Sequence, residues 1–201
     1  MAEIRVRTPA VGYRVLVKPG ILAQAGKELK KLAAGRPWVV ITNDIVWKLW
    51  GQALEAALAP QRFGVVRVPA GEKHKNLATA ERLCEQLVGL GADRSSLLMA
   101  FGGGVISDLA GFVAAIFLRG VDYVQLPTTL LAQIDSSVGG KTGVNLSGGK
   151  NLVGAFYQPR LVLADPQVLG TLPDRELRAG LYEAIKCGII QIGRASCRER
   201  V

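Results

Sequence analysis

The chain has 201 residues, 49% of them hydrophobic and 20% charged, which excludes a disordered or low-complexity protein and promises a real core. Its 25 lysines and arginines against 16 acidic residues leave a net charge of +9, and so point to anionic partners. Only 6% of the residues are aromatic and the basic ones form no stripe, so small phosphates or carboxylates are expected rather than nucleic acid.

Residues 4–7 and 13–18 alternate apolar and polar side chains across a Pro/Gly turn, which predicts a β-hairpin. Ile21, Leu22, Ala25, Leu29 and Leu32 recur at helical spacing. WVVIT (38–42) reads as a buried strand, residues 45–58 as an amphipathic helix, and FGVVRVPAG (63–71) as a strand and turn. Leu77, Ala80, Leu83, Cys84, Leu87 and Leu90 then mark a second amphipathic helix. SLLMAF (96–101) is a short apolar run ending in three glycines, followed by a helix over 105–117 and a strand over 122–126. The stretch 128–138 has a helical pattern and LVLAD (161–165) is a last strand. Strands alternating with helices of ten to fifteen residues predict an α/β fold with a parallel, Rossmann-like sheet that binds ligands at the carboxyl ends of its strands.

From Pro173 the pattern is wholly helical, with Leu177, Leu181, Ala184, Ile185 and Gly188 on one face. The expected organisation is an α/β domain over 1–171 and the first helix of an all-helical domain over 172–191. Residues 192–201 (IGRASCRERV) break the apolar periodicity and resemble a translated sequencing-adaptor end, so the chain is expected to be an amino-terminal fragment. Removing the three arginines and one glutamate of that tail leaves +7. Cys84, Cys187 and Cys197 lie at wide, unpatterned spacing that builds neither a disulfide framework nor a zinc knuckle. No apolar run reaches the roughly 18 residues of a membrane span and the opening residues hold no apolar leader block, so a cytoplasmic location without membrane partners is expected.

Three turns carry chemistry. FGGGVISD (101–108) joins a strand to a helix, where glycines let backbone amides approach a phosphate at the positive helix end. It falls one residue short of the dinucleotide fingerprint and late in the sheet; structural punctuation, with Ser107 capping the helix, is the bland alternative. SVGGKTG (137–143) imitates a P-loop, but Asp135 stands where that motif needs glycine. With GGKN (148–151) it leaves Lys141 and Lys150 on turns flanking an apolar hairpin, suited to two anionic groups or to a solvated tip. GEKHK (71–75) follows a strand and holds the only histidine, His74, which among lysines reads first as a solvated loop residue.

Together GEKHKNL (71–77), FGGGVISDLAGFVAA (101–115), FLRG (117–120), LPTTLLAQIDSSVGGKTGVN (126–145), GGKNLVGAFYQP (148–159) and LPDRELRAGLYEAIKCGII (172–190) resemble the 3-dehydroquinate synthase family of sugar-phosphate cyclases. The resemblance implies cyclisation of 3-deoxy-D-arabino-heptulosonate 7-phosphate to 3-dehydroquinate with loss of phosphate. NAD would be reduced and reoxidised within each turnover, a divalent metal (zinc or cobalt) would polarise the reacting hydroxyl, and the full-length protein would be a homodimer. It further implies NAD contacts at Asp44, Glu72, Lys75, Gly103, Gly104, Val105, Asp108, Thr128, Thr129, Lys141, Lys150, Val168, Leu169 and Thr171. Asp135, Lys141, Asn151 and Lys186 would face the substrate, Arg119 would reach its phosphate, within one chain or across a dimer interface, and Glu183 would be a metal ligand. Ser107 and Ile116 stand where the family often has glycine and threonine. The family's two metal histidines would lie beyond the end of the chain, so the fragment is expected to be inactive. A sibling cyclase of the valiolone or deoxy-scyllo-inosose type, a metal-dependent alcohol or glycerol phosphate dehydrogenase of related architecture, and a non-catalytic NAD-binding module are the alternatives.

Overall fold

The structure is a computed structural model that describes residues 2–8 and 12–190, so the adaptor-like stretch 192–201 lies outside the described residues. The strands are β1 (Ala2–Val6), β2 (Tyr13–Val17), β3 (Trp38–Asn43), β4 (Phe63–Val68), β5 (Leu97–Gly102), β6 (Asp122–Pro127), β7 (Lys141–Leu146), β8 (Gly149–Phe156) and β9 (Leu161–Ala164). The helices are α1 (Ala25–Ala33), α2 (Asp44–Leu58), α3 (Leu77–Gly89), α4 (Gly104–Ile116) and α5 (Asp174–Ile190).

Seven strands form one sheet in the order β1-β2-β9-β6-β5-β3-β4, all parallel except the β1–β2 hairpin. Successive residues of β3 face opposite layers, as a doubly covered sheet requires. Val39 and Ile41 pack with Leu83 of α3 and Leu109 and Val113 of α4. Trp38 and Val40 pack with Leu29 of α1 and Leu54 and Leu58 of α2. The chain goes outward from β3 to β4 and then crosses to β5 on the other side of β3, which opens a crevice at the carboxyl ends of β3 and β5.

Side-chain caps fix where the helices next to this crevice begin. Asn43 accepts a hydrogen bond from the Val46 amide and Asn76 one from the Thr79 amide, each at 2.9 Å. Ser107 does not cap α4: it is the fourth residue of that helix, and its buried hydroxyl has no partner. The cap position belongs to Gly103, which offers no side chain.

The hairpin β7–β8 forms its own two-stranded sheet against α4, where Gly111 lets Thr142 approach; a Cβ on Gly111 would sit 2.5 Å from the threonine methyl. Lys141 and Lys150 therefore belong to strands and not to flexible turns, because pairing of Thr142 with Ala155 and of Gly143 with Gly154 carries the ladder through the glycine-rich sequence. The helical pattern over 128–138 condenses into a short helix ending in a π-helical turn at Ala132–Ser136. Gly180 seats α5 on this segment, with the Leu130 side chain filling the space of its missing Cβ. Among the described residues no helix is long and apolar enough to cross a membrane.

Candidate functional site

Because the core strands run parallel, their carboxyl ends bring four turns to one rim. Gly102, Gly103 and Gly104 are needed there for packing as well as for access. A Cβ on Gly102 would meet Ile106 at 2.7 Å, and one on Gly103 would meet the Thr129 methyl at 2.8 Å. The result is a bare helix N-terminus without a side-chain cap, a place where amides and the helix dipole favour an anion. Thr128 and Thr129 flank it from β6: the Thr128 amide donates to the Gly102 carbonyl at 2.9 Å, and Thr129 Oγ1 accepts from the Ala132 amide at 3.2 Å.

Beside this rim lies a cleft of about 480 Å³. Asp108, Asp135, Ser136, Lys141, Asn151 and Phe156 are among its lining residues, so three of the four residues expected to face a substrate meet in one cavity. The π-helical turn projects Asp135, α4 supplies Asp108, and the hairpin supplies Lys141 and Asn151. The Ser136 hydroxyl is buried beside Gly104 without a protein partner.

Lys75 is the hub of the adjoining wall. Its side chain is only 5% exposed, and Nζ reaches Asp108 Oδ2 at 2.8 Å, Asn151 Oδ1 at 2.7 Å and Glu72 Oε1 at 3.4 Å. Burial pushes the Asp108 carboxyl above its ordinary range although Lys75 opposes the shift, because desolvation outweighs the pair. For Glu72 the balance reverses: burial pulls upward, but hydrogen bonding from Asn145 and the charge of Lys75 hold the carboxyl below its usual value.

The other expected residues are placed less centrally. Asp44 opens α2 at the end of β3 and is 71% exposed, with Arg67 at 3.2 Å. Lys150 is exposed on β8 and Leu169 half-buried, while the Val168 side chain belongs to the core. The Thr171 hydroxyl accepts from Trp50 Nε1 at 2.9 Å. Arg119 does not line the cleft. It is exposed at the far end of α4, roughly 20 Å from Gly104 along a 13-residue helix, in a turn where Leu118 (φ 50°) and Arg119 (φ 69°) are both left-handed. His74 is half-buried in a single 3₁₀ turn and also lies off the cleft. Glu183 bonds the ammonium of Lys186 one turn along α5, and the Cys187 thiol at 3.9 Å. No group of three or more His, Cys, Asp or Glu side chains among the described residues could hold a metal. Glu183 alone does not make a zinc site, so the residues described do not fit that ion.

Asn145 is the residue that sequence reading passed over. It bridges Glu72 and Asn151 from within β7, and its one visible signal is a lone amide in an otherwise apolar strand end.

This combination, a doubly wound sheet with a bare glycine-rich helix start beside a cleft of mixed charge, is the architecture of the sugar-phosphate cyclases. The 2-deoxy-scyllo-inosose synthase solved with carbaglucose-6-phosphate, NAD+ and Co2+ superposes with a TM-score of 0.85 at 30% identity, over 92% of this chain and 50% of that one. The 2-epi-5-epi-valiolone synthase of Streptomyces hygroscopicus, solved with NAD+ and Zn2+, gives 0.79 at 34% identity over 87% of this chain and 49% of that one. Residues 65–179 match the family model described as 3-dehydroquinate synthase N-terminal, and the chain belongs to the 3-dehydroquinate synthase family. The 3-dehydroquinate synthase of Solibacter usitatus is 51% identical over 191 residues, which cover 95% of this chain and 53% of that protein. The chain thus spans about half the length of the curated relatives it matches.

Proposed function

We propose that this chain is the nucleotide-binding half of a cytoplasmic, homodimeric 3-dehydroquinate synthase. The whole protein would be a carbon–oxygen lyase of the shikimate pathway, serving aromatic amino acid biosynthesis. It would close 3-deoxy-D-arabino-heptulosonate 7-phosphate to 3-dehydroquinate and expel phosphate. The observation that carries this reading is the convergence of Asp135, Lys141 and Asn151 in one cleft against the bare start of α4. The proposed division places the α/β domain at 1–171 and the start of a helical domain at 172–191.

The described residues suit NAD, because glycines 102–104 leave the helix amides uncovered and the Ser136 hydroxyl beside them lacks a protein partner. When bound, NAD would supply reversible hydride transfer. The amides near Gly103, Gly104 and Val105 would hold its pyrophosphate, with Thr128 and Thr129 at the edge. Glu72 and Asp44 would accept from ribose hydroxyls, Lys75 would fix Asp108 and Asn151, and Val168, Leu169 and Thr171 would border the adenine through backbone and hydroxyl groups. On the substrate side, Lys141 would neutralise an anionic group, Asn151 would donate an amide hydrogen bond, and Asp135 would accept from a sugar hydroxyl. Lys150 would add positive charge, and Lys186 would enter from α5 once released from Glu183. Arg119 lies too far from the cleft to serve it within one chain, so a phosphate contact from this residue would be made in the cleft of a partner subunit. The metal-bound step is left to ligands that the described residues do not include.

Two measurements test this reading. Calorimetry at millimolar NAD should show weak binding to the 201-residue chain, and the chain with zinc should release no phosphate. Joined to the carboxyl-terminal half of the Solibacter relative, it should release phosphate from the heptulosonate phosphate without net NADH. Accumulating NADH would mean a dehydrogenase. Phosphate released from glucose 6-phosphate instead would favour the deoxy-scyllo-inosose reading, which the TM-score of 0.85 supports but the 51% identity to a 3-dehydroquinate synthase outweighs.

A further inference from the structure

Asn145 bonds through both ends of its side-chain amide and through its backbone amide, and each bond leads to a segment already placed at the site. Its Nδ2 donates to Glu72 Oε1 at 2.9 Å, its Oδ1 accepts from the Asn151 amide at 2.8 Å, and its own amide donates to the Lys75 carbonyl at 2.8 Å. The backbone bond is part of an isolated parallel bridge between Asn76 and Asn145, which ties the 72–76 turn to the hairpin. Asn145 also falls where the β7–β8 register shifts, between Val144 and Leu146. There β7 leaves its regular ladder, and the side chain faces Glu72 and Asn151 together.

The chemistry demands an amide of this length. A carboxylate partner needs a donor and a backbone N–H needs an acceptor, and the side-chain amide of Asn carries both on one short planar group. Aspartate would set a second carboxylate against Glu72, and serine would be too short to span both. The residue being held has a left-handed backbone (Asn151, φ 56°), a conformation that among non-glycine residues asparagine adopts most readily and that local hydrogen bonds hold in place. The Asn145 carbonyl fixes its amide, and Lys75 fixes its side chain at 2.7 Å.

We propose that Asn145 is a positioning residue that clamps Glu72 of the nucleotide turn and Asn151 of the cleft into one geometry, so that the two halves of the site are set together. The inference rests on the reading that NAD lies against residues 72–75. It assigns Asn145 no contact with either ligand.

The test is a swap of donor and acceptor. NAD affinity is measured by calorimetry, and melting temperature alongside it, for the 201-residue chain and its N145A, N145D, E72Q and E72Q/N145D variants. N145D faces two carboxylates together and should weaken NAD about tenfold or more, as loss of a charge-assisted hydrogen bond does. N145A should fall between N145D and the parent. In E72Q/N145D the bond is rebuilt in reverse. The side-chain amide introduced at position 72 donates, and the carboxylate introduced at position 145 accepts from it while still accepting from the Asn151 amide. Affinity should therefore return to within about threefold of E72Q. A residue that served folding alone would shift melting temperature in all three variants altered at position 145 without this rescue in affinity. Equal affinity of N145D and parent, or no gain in the double variant, overturns the inference while the parent's binding upholds the nucleotide reading. Absence of NAD binding by the parent overturns both. Should N145D fail to fold, the double variant against E72Q decides, and a tenfold deficit there sinks the clamp.

Discussion

Lys75 and Asp122 show at the level of single residues how burial and pairing compete. Lys75 holds Asp108 inside the wall of the cleft, and cutting it to methionine leaves a carboxyl there that burial already disfavours as an anion. K75M should cost about 3 kcal/mol in urea denaturation at neutral pH, the usual penalty for stranding one half of a buried pair. K75M/D108N should recover part of that loss. Asp122 lies on the opposite side of the balance. Burial raises its pKa, but hydrogen bonds and charge from Arg160 at 2.6 Å and Arg36 at 2.9 Å prevail and hold it below the ordinary value. With the folded pKa depressed, the unfolded chain binds more protons in that window. The stabilisation is therefore full above the unfolded pKa of about 4 and is lost as pH falls through the folded one. D122N should lower stability at pH 7 and flatten the acid limb below pH 4, which melting curves taken across that range would show.

Among the elements, Asp165 binds the end of the sheet to its beginning. Oδ1 accepts from the Gly20 and Gln167 amides and Oδ2 from the Leu22 amide, each at 2.9 Å, with the carboxylate buried. D165A should destabilise the chain by about 3 kcal/mol, since three amides lose an ionised acceptor. Close packing sets a second constraint at the crossing of α1 and α2, where a Cβ on Gly26 would collide with the Ala57 carbonyl. G26A should lower the melting temperature by several degrees without altering the cleft, at a cost of about 1–3 kcal/mol.

The elements are legible in the sequence where the signal is local. The 3.6-residue spacing of Leu83, Leu87 and their neighbours marks α3, and the apolar runs 38–42 and 96–101 mark β3 and β5. Lys141 and Lys150 read as turn residues because the glycines in and around β7 and β8 imitate a loop. In the fold Gly143 and Gly154 are there so that two backbones can touch, a Cβ on Gly143 lying 2.8 Å from the Val153 carbonyl. The meeting of Asp135, Lys141 and Asn151 in a cleft follows from family motifs and not from any periodicity. Asn145 escapes a sequence reading because its partners lie up to 73 residues away.

At the scale of the whole molecule, two elements present apolar side chains to solvent. Leu181, Tyr182, Ile185 and Ile189 of α5 and Leu152 and Phe156 of β8 are exposed, Phe156 at 83%. Exposed apolar side chains in such number favour association. Sedimentation velocity should show concentration-dependent self-association of the chain, and I185K/I189K should reduce it without changing the melting temperature by more than a few degrees.

The place of β9 between β6 and β2 has a consequence for synthesis. Val15 meets Val162 across the sheet, so the first hairpin must wait for nearly the whole α/β unit to leave the ribosome before it gains its neighbour. A nascent chain halted before Leu161 should keep β1 and β2 open to proteases, whereas one released after Asp165 should close. Pulse proteolysis of released chains truncated at increasing length would locate that transition within a few residues of the last strand.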